Sequence, residues 1–327
     1  MTLKKIALLA GVSPSTVSKA LQNSHEISDE TTARVRAVAE ETGYFEQRKR
    51  RRFAESKKNA PNVAILCCEI VSTYYAHAVS CLCREIEALG GTAIVALYDF
   101  DQAKLRALAK KYASMEGISG ILCVPGTGDL RGLAVPCVSV LQAIPGVDSV
   151  YIDNDAALQD AIDFLVAQGR TKLAFLSETL SSRFGQAATG MLAAHGLEPA
   201  MLHISQSRFE SAGMDGVETM LRQGVAVDAI LAAYDEIAIG AIHALRCYGL
   251  RVPEDVFVVG INDIQSASHC TPPLSSIHCS VEEACHAGLE LLTSRLNDPA
   301  VRSARQIAFQ GRLILRETTC GDTAHGG

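Results

Sequence analysis

No run of 18 or more apolar residues occurs in the 327 residues of the chain, which excludes a membrane-spanning helix. A secretory leader is not expected either. The N-terminal MTLKKIALLAGVS sets lysines before a short apolar patch, but polar residues interrupt the patch at once and no small-residue cleavage site follows. The chain is therefore expected in the cytoplasm. Catalytic constellations are missing: no Ser-His-Asp order, paired-carboxylate site or metal motif stands out, so no enzyme, cofactor or metal is expected. PGTGDLRG carries a G-x-G-x3-G pattern (Gly126, Gly128, Gly132) after a strand-like run, one residue off a dinucleotide fingerprint. It lacks both a helix at its second glycine and an acidic residue after a second strand. The 11 cysteines have no framework spacing and read as small buried hydrophobes in a reducing compartment. Two alternatives stay open: a redox switch, and zinc at the His269-Cys270, His278-Cys279 and Cys285-His286 pairs, which lack the usual C-x2–4-C spacing.

What is present is an ordinary soluble composition, 48% apolar and 20% charged, in a chain long enough for two or three domains. Its charge is unevenly placed. Residues 1–60 hold 12 Lys/Arg and 7 Asp/Glu, net +5, while the remainder holds 18 and 29, net −11. A basic head on an acidic body points to a polyanion that meets the head alone.

The first 43 residues read as three short helices. Thr2 can cap the first, whose inner face is Ile6, Ala7, Leu9 and Ala10, and Gly11 stands where a left-handed C-cap is wanted. The second runs from about Pro14 to Leu21. Ser28 opens the third, with Asp29 and Glu30 in its first turn and Val35, Val38 and Ala39 on its apolar face. Ala7-x3-Gly11-x5-Val17 fits a helix-turn-helix, which needs a small residue where two helices cross, glycine at the turn and a branched residue to seat the second helix. With Val17, Ala20 and Leu21 inward, Pro14, Ser15, Ser18 and Lys19 face outward, a small polar face suited to base edges. A solvated helix in a small bundle is the alternative.

Residues 46–61 form a basic linker with five consecutive cations, Arg48 to Arg52. From Val63 onward, apolar strand-like runs (VAILCCEI, TAIVALYD, GILCVP, KLAFLS, AILAAYD, VFVVGIND) alternate with helical patterns. This texture fits parallel sheets covered on both faces, enough for two doubly wound α/β subdomains.

TLKKIALLAGVSPSTVSKAL…ISDETTARVRAVAEETGY resembles the DNA-binding head of the lactose-repressor/galactose-repressor family of bacterial transcription regulators. VDAILAAYDEIAIGAIHALRCYGLRVPEDVFVVGINDI followed by TPPLSSI resembles its effector-binding core. The likeness covers nearly the whole chain and is weakest between about 98 and 150. It implies a three-helix head (1–45), a hinge (46–61), a core of periplasmic-binding-protein type (62–320) and a tail (321–327). The core's first subdomain is expected at 62–154 and 279–305, its second at 155–278 and 306–320. By the same resemblance Pro14, Ser15 and Lys19 read bases and Thr2, Ser13, Gln22, Ser28 and Thr31 touch phosphates; Ser18 joins the base-reading face by its outward position, and Arg51 of the basic run is expected on a phosphate. Phe53 takes the place of the family's minor-groove leucine, with Arg50 near it. Tyr74, Leu141, Arg183, Ala187, Tyr234, Asp235, Asn262 and Cys279 are the expected effector-cleft residues. Leu141, Ala187 and Tyr234 stand where the family has groups that clamp sugar hydroxyls, and Asn262 replaces an Asp. Arg183 is the cation expected to compensate.

The implied function is a repressor that binds a palindromic DNA operator as a homodimer, without membrane contact. Its control is expected from a small-molecule effector, by family default a carbohydrate or sugar phosphate. The chain end lacks a heptad helix, so a dimer without a tetramerising segment is expected. A sugar receptor with a vestigial head and a nucleotide-dependent oxidoreductase are the competing readings.

Overall fold

The computed structural model describes residues 60–298 and 303–320. In the N-terminal segment it describes Ala7, Ala10 to Ser13, Thr16, Val17, Thr31, Thr32, Val35, Val38 and Ala39.

In the head, Ala7 and Ala10 are helical and Gly11 has φ +63°, the left-handed conformation that glycine adopts without a Cβ penalty. The Val12 N–H donates to the Ala7 carbonyl at 3.0 Å, the six-to-one bond of a Schellman turn. Ser13 then caps the next helix. Its Oγ accepts the Thr16 N–H at 3.1 Å, and its carbonyl accepts the Val17 N–H at 3.0 Å. Ala7, Ala10, Val17, Val35 and Ala39 form one buried cluster, with Val12 and Val38 packed against it. Its side chains are small, and only the two fully buried valines bring about 2 kcal/mol each of apolar burial.

The core holds two six-stranded sheets. The first has the order β11-β5-β4-β3-β1-β2, the second β12-β10-β9-β8-β6-β7. The strands are β1 (Asn62–Cys67), β2 (Thr92–Leu97), β3 (Gly120–Val124), β4 (Cys137–Leu141), β5 (Asp148–Asp153), β6 (Leu173–Glu178), β7 (Met201–Ser205), β8 (Ala229–Ala232), β9 (Phe257–Asn262), β10 (Ser275–His278), β11 (Gln306–Gln310) and β12 (Arg312–Ile314). The helices are α1 (Thr73–Ala88), α2 (Gln102–Ala113), α3 (Asp155–Ala167), α4 (Arg183–Ala193), α5 (Glu210–Arg222), α6 (Asp235–Cys247) and α7 (Val281–Asn297). Strands β1, β3, β4, β5 and β11 are mutually parallel, as are β6 to β10, whereas β12 is antiparallel to β10. Every residue of β3, β6 and β8 is buried, the continuous apolar signature of strands covered on both faces.

Helix α7 returns to pack on β3, β4 and β5, so each lobe is built from separated stretches of chain. The chain crosses between sheets after β5, after β10 and after β11. The second lobe was expected to resume at 306, but Gln306–Gln310 pairs parallel with β5 and extends the first sheet, moving the third crossing to Gly311. The outer edge of β5 would otherwise leave its backbone groups unpaired. At that crossing the Gly311 N–H donates to the Asp153 carbonyl at 3.0 Å, and a Cβ on Gly311 would run into Asn154 Oδ1. Helices α2 and α5 and strands β7, β10, β11 and β12 were not expected from the sequence. The first lies in the stretch where the resemblance is weakest.

Candidate functional site

The strand ends of both lobes face one another in a cleft. Two cavities of about 440 and 230 Å³ lie along it and share Tyr74 and Asn262 as lining residues. The carboxyl ends of parallel strands are the usual ligand-binding edge of open α/β sheets.

Among the described residues, the non-glycine positions with φ between +50° and +105° are Asp99, Phe100, Leu141, Phe209, Asn262 and Asp263. Each lies at or just past the carboxyl end of a strand, and Phe100, Phe209, Asn262 and Asp263 line the cavities. Left-handed backbone at bulky residues is held at a cost by its surroundings, and such strain concentrates at binding sites.

The smaller cavity is organised around Arg208. Its Nη1 and Nη2 donate to the two oxygens of Glu69 at 2.8 Å each, and its Nε donates to Glu178 Oε2 at 3.2 Å. Glu69 follows β1 of the first sheet and Glu178 ends β6 of the second, so the guanidinium ties the two lobes together. Both carboxylates are buried. The hydrogen bonds to Glu69, with the charge of Glu178, hold the Arg208 guanidinium above its ordinary range. Its plane lies over Phe209, 4.4 Å from the ring centroid, and over Phe100 at 5.9 Å. Tyr75 meets Phe100 edge-on and Tyr234 meets Phe209 edge-on. Burial pushes the Tyr74 and Tyr75 hydroxyls up, and burial with the Glu178 charge does the same to Tyr234.

In the larger cavity, Asp263 accepts from Arg316 Nη2 at 2.7 Å and pairs with His278 Nδ1 at 3.0 Å. Buried Cys279 sits between Asn154, whose Nδ2 is 3.3 Å from the sulfur, and Asn262, and burial raises its thiol to about 11.

Four expected cleft residues line these cavities: Tyr74, Tyr234, Asn262 and Cys279. Leu141, Arg183, Ala187 and Asp235 do not. Arg183 and Ala187 are exposed because α4 turns Ala188 and Leu192 inward instead. The cation in the cleft is therefore Arg208, not Arg183. Asp235 is fully buried and joins elements: it accepts the Ile264 N–H at 2.8 Å and the Ser276 hydroxyl at 2.6 Å. Glu69, Phe100, Glu178, Arg208 and Phe209 were missed. An acid ending an otherwise apolar strand run, as in VAILCCE and LAFLSE, is a signal that would have found the two glutamates. No local pattern marks Arg208.

Of the expected DNA contacts, Thr2, Pro14, Ser15, Ser18, Lys19, Gln22, Ser28, Arg50, Arg51 and Phe53 lie outside the described residues. Ser13 and Thr31 are described; Ser13 is exposed, and its Oγ is engaged by the Thr16 backbone.

The three His–Cys pairs weighed as a zinc site are dispersed among different partners: His269 on the Gln265 carbonyl, Cys270 on the Pro272 carbonyl, His278 on Asp263, Cys279 on Asn154, Cys285 against the Ala78 carbonyl and His286 on Glu85. Among the described residues, a different trio, His77, Cys81 and Glu282, brings its ligand atoms within 4.8 Å of one another. There Arg84 Nη2 donates to the Cys81 sulfur at 3.3 Å, and this cation on the thiol opposes a metal ion. None of the described helices is long and apolar enough to cross a membrane.

The model for bacterial regulatory proteins of the lacI family matches residues 2–47, and that for a periplasmic binding protein-like domain matches residues 162–319. The chain is 26% identical over 332 residues to the HTH-type transcriptional regulator GntR of Pseudomonas aeruginosa, covering 97% of this chain and 95% of the relative. It is 25% identical over 328 residues to the ribose operon repressor of Escherichia coli, covering 93% and 96%. The solved lac repressor dimer bound to operator and the anti-inducer ONPF matches with a TM-score of 0.72 at 22% identity, covering 98% of this chain and 99% of that one.

Proposed function

The chain belongs to the lacI family of bacterial transcription regulators, and from that membership we propose that it is a repressor working as a homodimer on a palindromic operator. Its head binds DNA and its core binds an effector. No catalytic step enters this reading, and its place of action is the cytoplasm, on the nucleoid.

The observation that carries the effector reading is the ion pair from Arg208 to Glu69, which runs from one lobe to the other inside a cleft. A ligand that changes this contact has different affinities for the closed and open arrangements, which is the condition for shifting a population. The shift passes through linker 46–61 to the two heads, which then lose or gain their shared register on two half-sites. Pro14, Ser15, Ser18 and Lys19 are the proposed base-reading face, with Thr2, Ser13, Gln22, Ser28, Thr31 and Arg51 on phosphates. Phe53, beside Arg50, is the proposed minor-groove wedge. The compact packing around Val17 and the Ser13 cap support this placement of the head's second helix.

A gel-shift titration on the DNA beside the protein's own gene tests the reading. Salt-sensitive, sequence-selective binding is expected, and its complete absence would remove the regulator from consideration.

A further inference from the structure

We propose that the effector is an organic cation, an amine or guanidinium compound whose head takes over the seat that Arg208 fills between Glu69 and Glu178. This rests on the reading of the cleft as the effector site, and it names the ligand class.

The seat is already a cation site: two buried carboxylates, one from each lobe, clamp a guanidinium whose face lies on Phe209 and Phe100. Carboxylates at the edges and aromatic rings on the faces are the chemistry that recognises planar or alkylated cations. The rest of the lining carries the same sign. Asp263, Glu282 and Glu283 line the larger cavity, and Arg208 is the sole Lys or Arg among the residues lining either one. Asp263 is already neutralised by Arg316, leaving the glutamates in excess.

A second, independent observation lies at the lobe seam. Glu236, at the start of α6, is 6% exposed, and its Oε1 has no hydrogen-bond partner. Its neighbours are Thr73, which lines the larger cavity, and Glu210. A buried carboxylate oxygen left open beside another acid is stabilised by a cation arriving nearby, and destabilised by an anion.

Anionic effectors meet these carboxylates head-on. Neutral sugars bring no charge to replace the guanidinium between Glu69 and Glu178. A cation that enters the seat displaces Arg208 from Glu69 and so releases the contact between the lobes. Its binding thereby selects an opened arrangement.

The test is calorimetric titration of the full-length protein with agmatine and putrescine, with D-gluconate, glucose 6-phosphate and D-ribose as probes of the other classes. Agmatine or putrescine is expected to bind, and Glu178→Gln to weaken that binding about tenfold or more. Arg208→Ala is expected to bind agmatine more tightly than the wild type, because the competing side chain is gone. A residue acting only as structure would not produce that gain. Arg208→Gln serves if the alanine variant fails to fold. Absence of amine binding to both wild type and Arg208 variants at about 10 mM, enough to fill a millimolar site, overturns the proposal. So does an Arg208 variant that binds agmatine no more tightly than wild type. Binding of gluconate, glucose 6-phosphate or ribose in place of the amines overturns the ligand class while leaving the effector site standing. Absence of operator binding by the ligand-free protein in the gel shift, with agmatine binding intact, would instead fault the regulator reading.

Discussion

Arg208 and Glu69 are 139 positions apart in the chain, yet the guanidinium fork meets both carboxylate oxygens at 2.8 Å. Parallel two-point pairing is the most directional ion pair a protein builds. Here it links two lobes that three chain crossings also join.

Removing one partner of this pair leaves a buried charge without compensation. Arg208→Met is expected to lower the stability of the core by about 2 kcal/mol in urea unfolding at pH 7. That is less than for a fully buried pair, because the Arg208 side chain is 36% exposed. The double variant Arg208→Met/Glu69→Gln should recover part of that loss. If the two single losses simply add, the residues are not coupled and the latch does not exist.

Asp235 sets a pH dependence. Burial, with the charges of Glu236 and Asp263, raises its carboxyl to about 7 against the efforts of Ser276 and the Ile264 N–H. The folded state therefore holds this proton more tightly than the unfolded chain, whose carboxyl titrates at its ordinary value of about 3.9. Stability from this group is full below pH 4 and declines as pH rises toward 7, by roughly 3–5 kcal/mol in all. Asp235→Asn should flatten that decline. Urea midpoints of both proteins at pH 5, 6, 7 and 8, compared as slopes, decide the matter.

Ser13 offers a separation of folding from DNA contact. Ser13→Ala removes the cap and should cost the head about 1 kcal/mol, read as a loss of helical circular dichroism on heating. Ser13→Asp keeps a capping oxygen, so the head should stay folded. Its negative charge beside a phosphate should nevertheless lower operator affinity about tenfold. Equal affinity for Ser13→Asp and wild type would place Ser13 away from the backbone of the DNA.

Lys19 and Arg51 should fail in different ways. Lys19→Ala is expected to relax discrimination between operator variants. Arg51→Ala should weaken all of them alike and reduce the salt slope by about one. Filter-binding isotherms at three salt concentrations on two operator variants separate the outcomes, and the same pattern for both substitutions would overturn the assigned roles.

The periodic part of this protein was readable in its residues. Continuous apolar runs such as VAILCC and KLAFLS pointed to strands buried on both faces, and the spacing of Ala7, Gly11 and Val17 fitted two helices crossing at a tight turn. Local pattern sufficed because the forces behind it, side-chain periodicity and backbone capping, act within a few residues. The cleft was a different matter. Tyr74, Tyr234, Asn262 and Cys279 were reachable through the family pattern, whereas Arg183 was chosen as the cation and the structure placed Arg208 there instead. Likewise β11 joined the first sheet because an unpaired strand edge of β5 was there to receive it, and nothing in QIAFQ announces that partner. Composition and spacing marked most of the helices and strands and the head, but not α2, α5, β7, β10, β11 or β12. Which charges would face one another was decided only when distant strand ends were brought together, because burial makes an ion pair between remote residues strong and sequence distance carries no record of it.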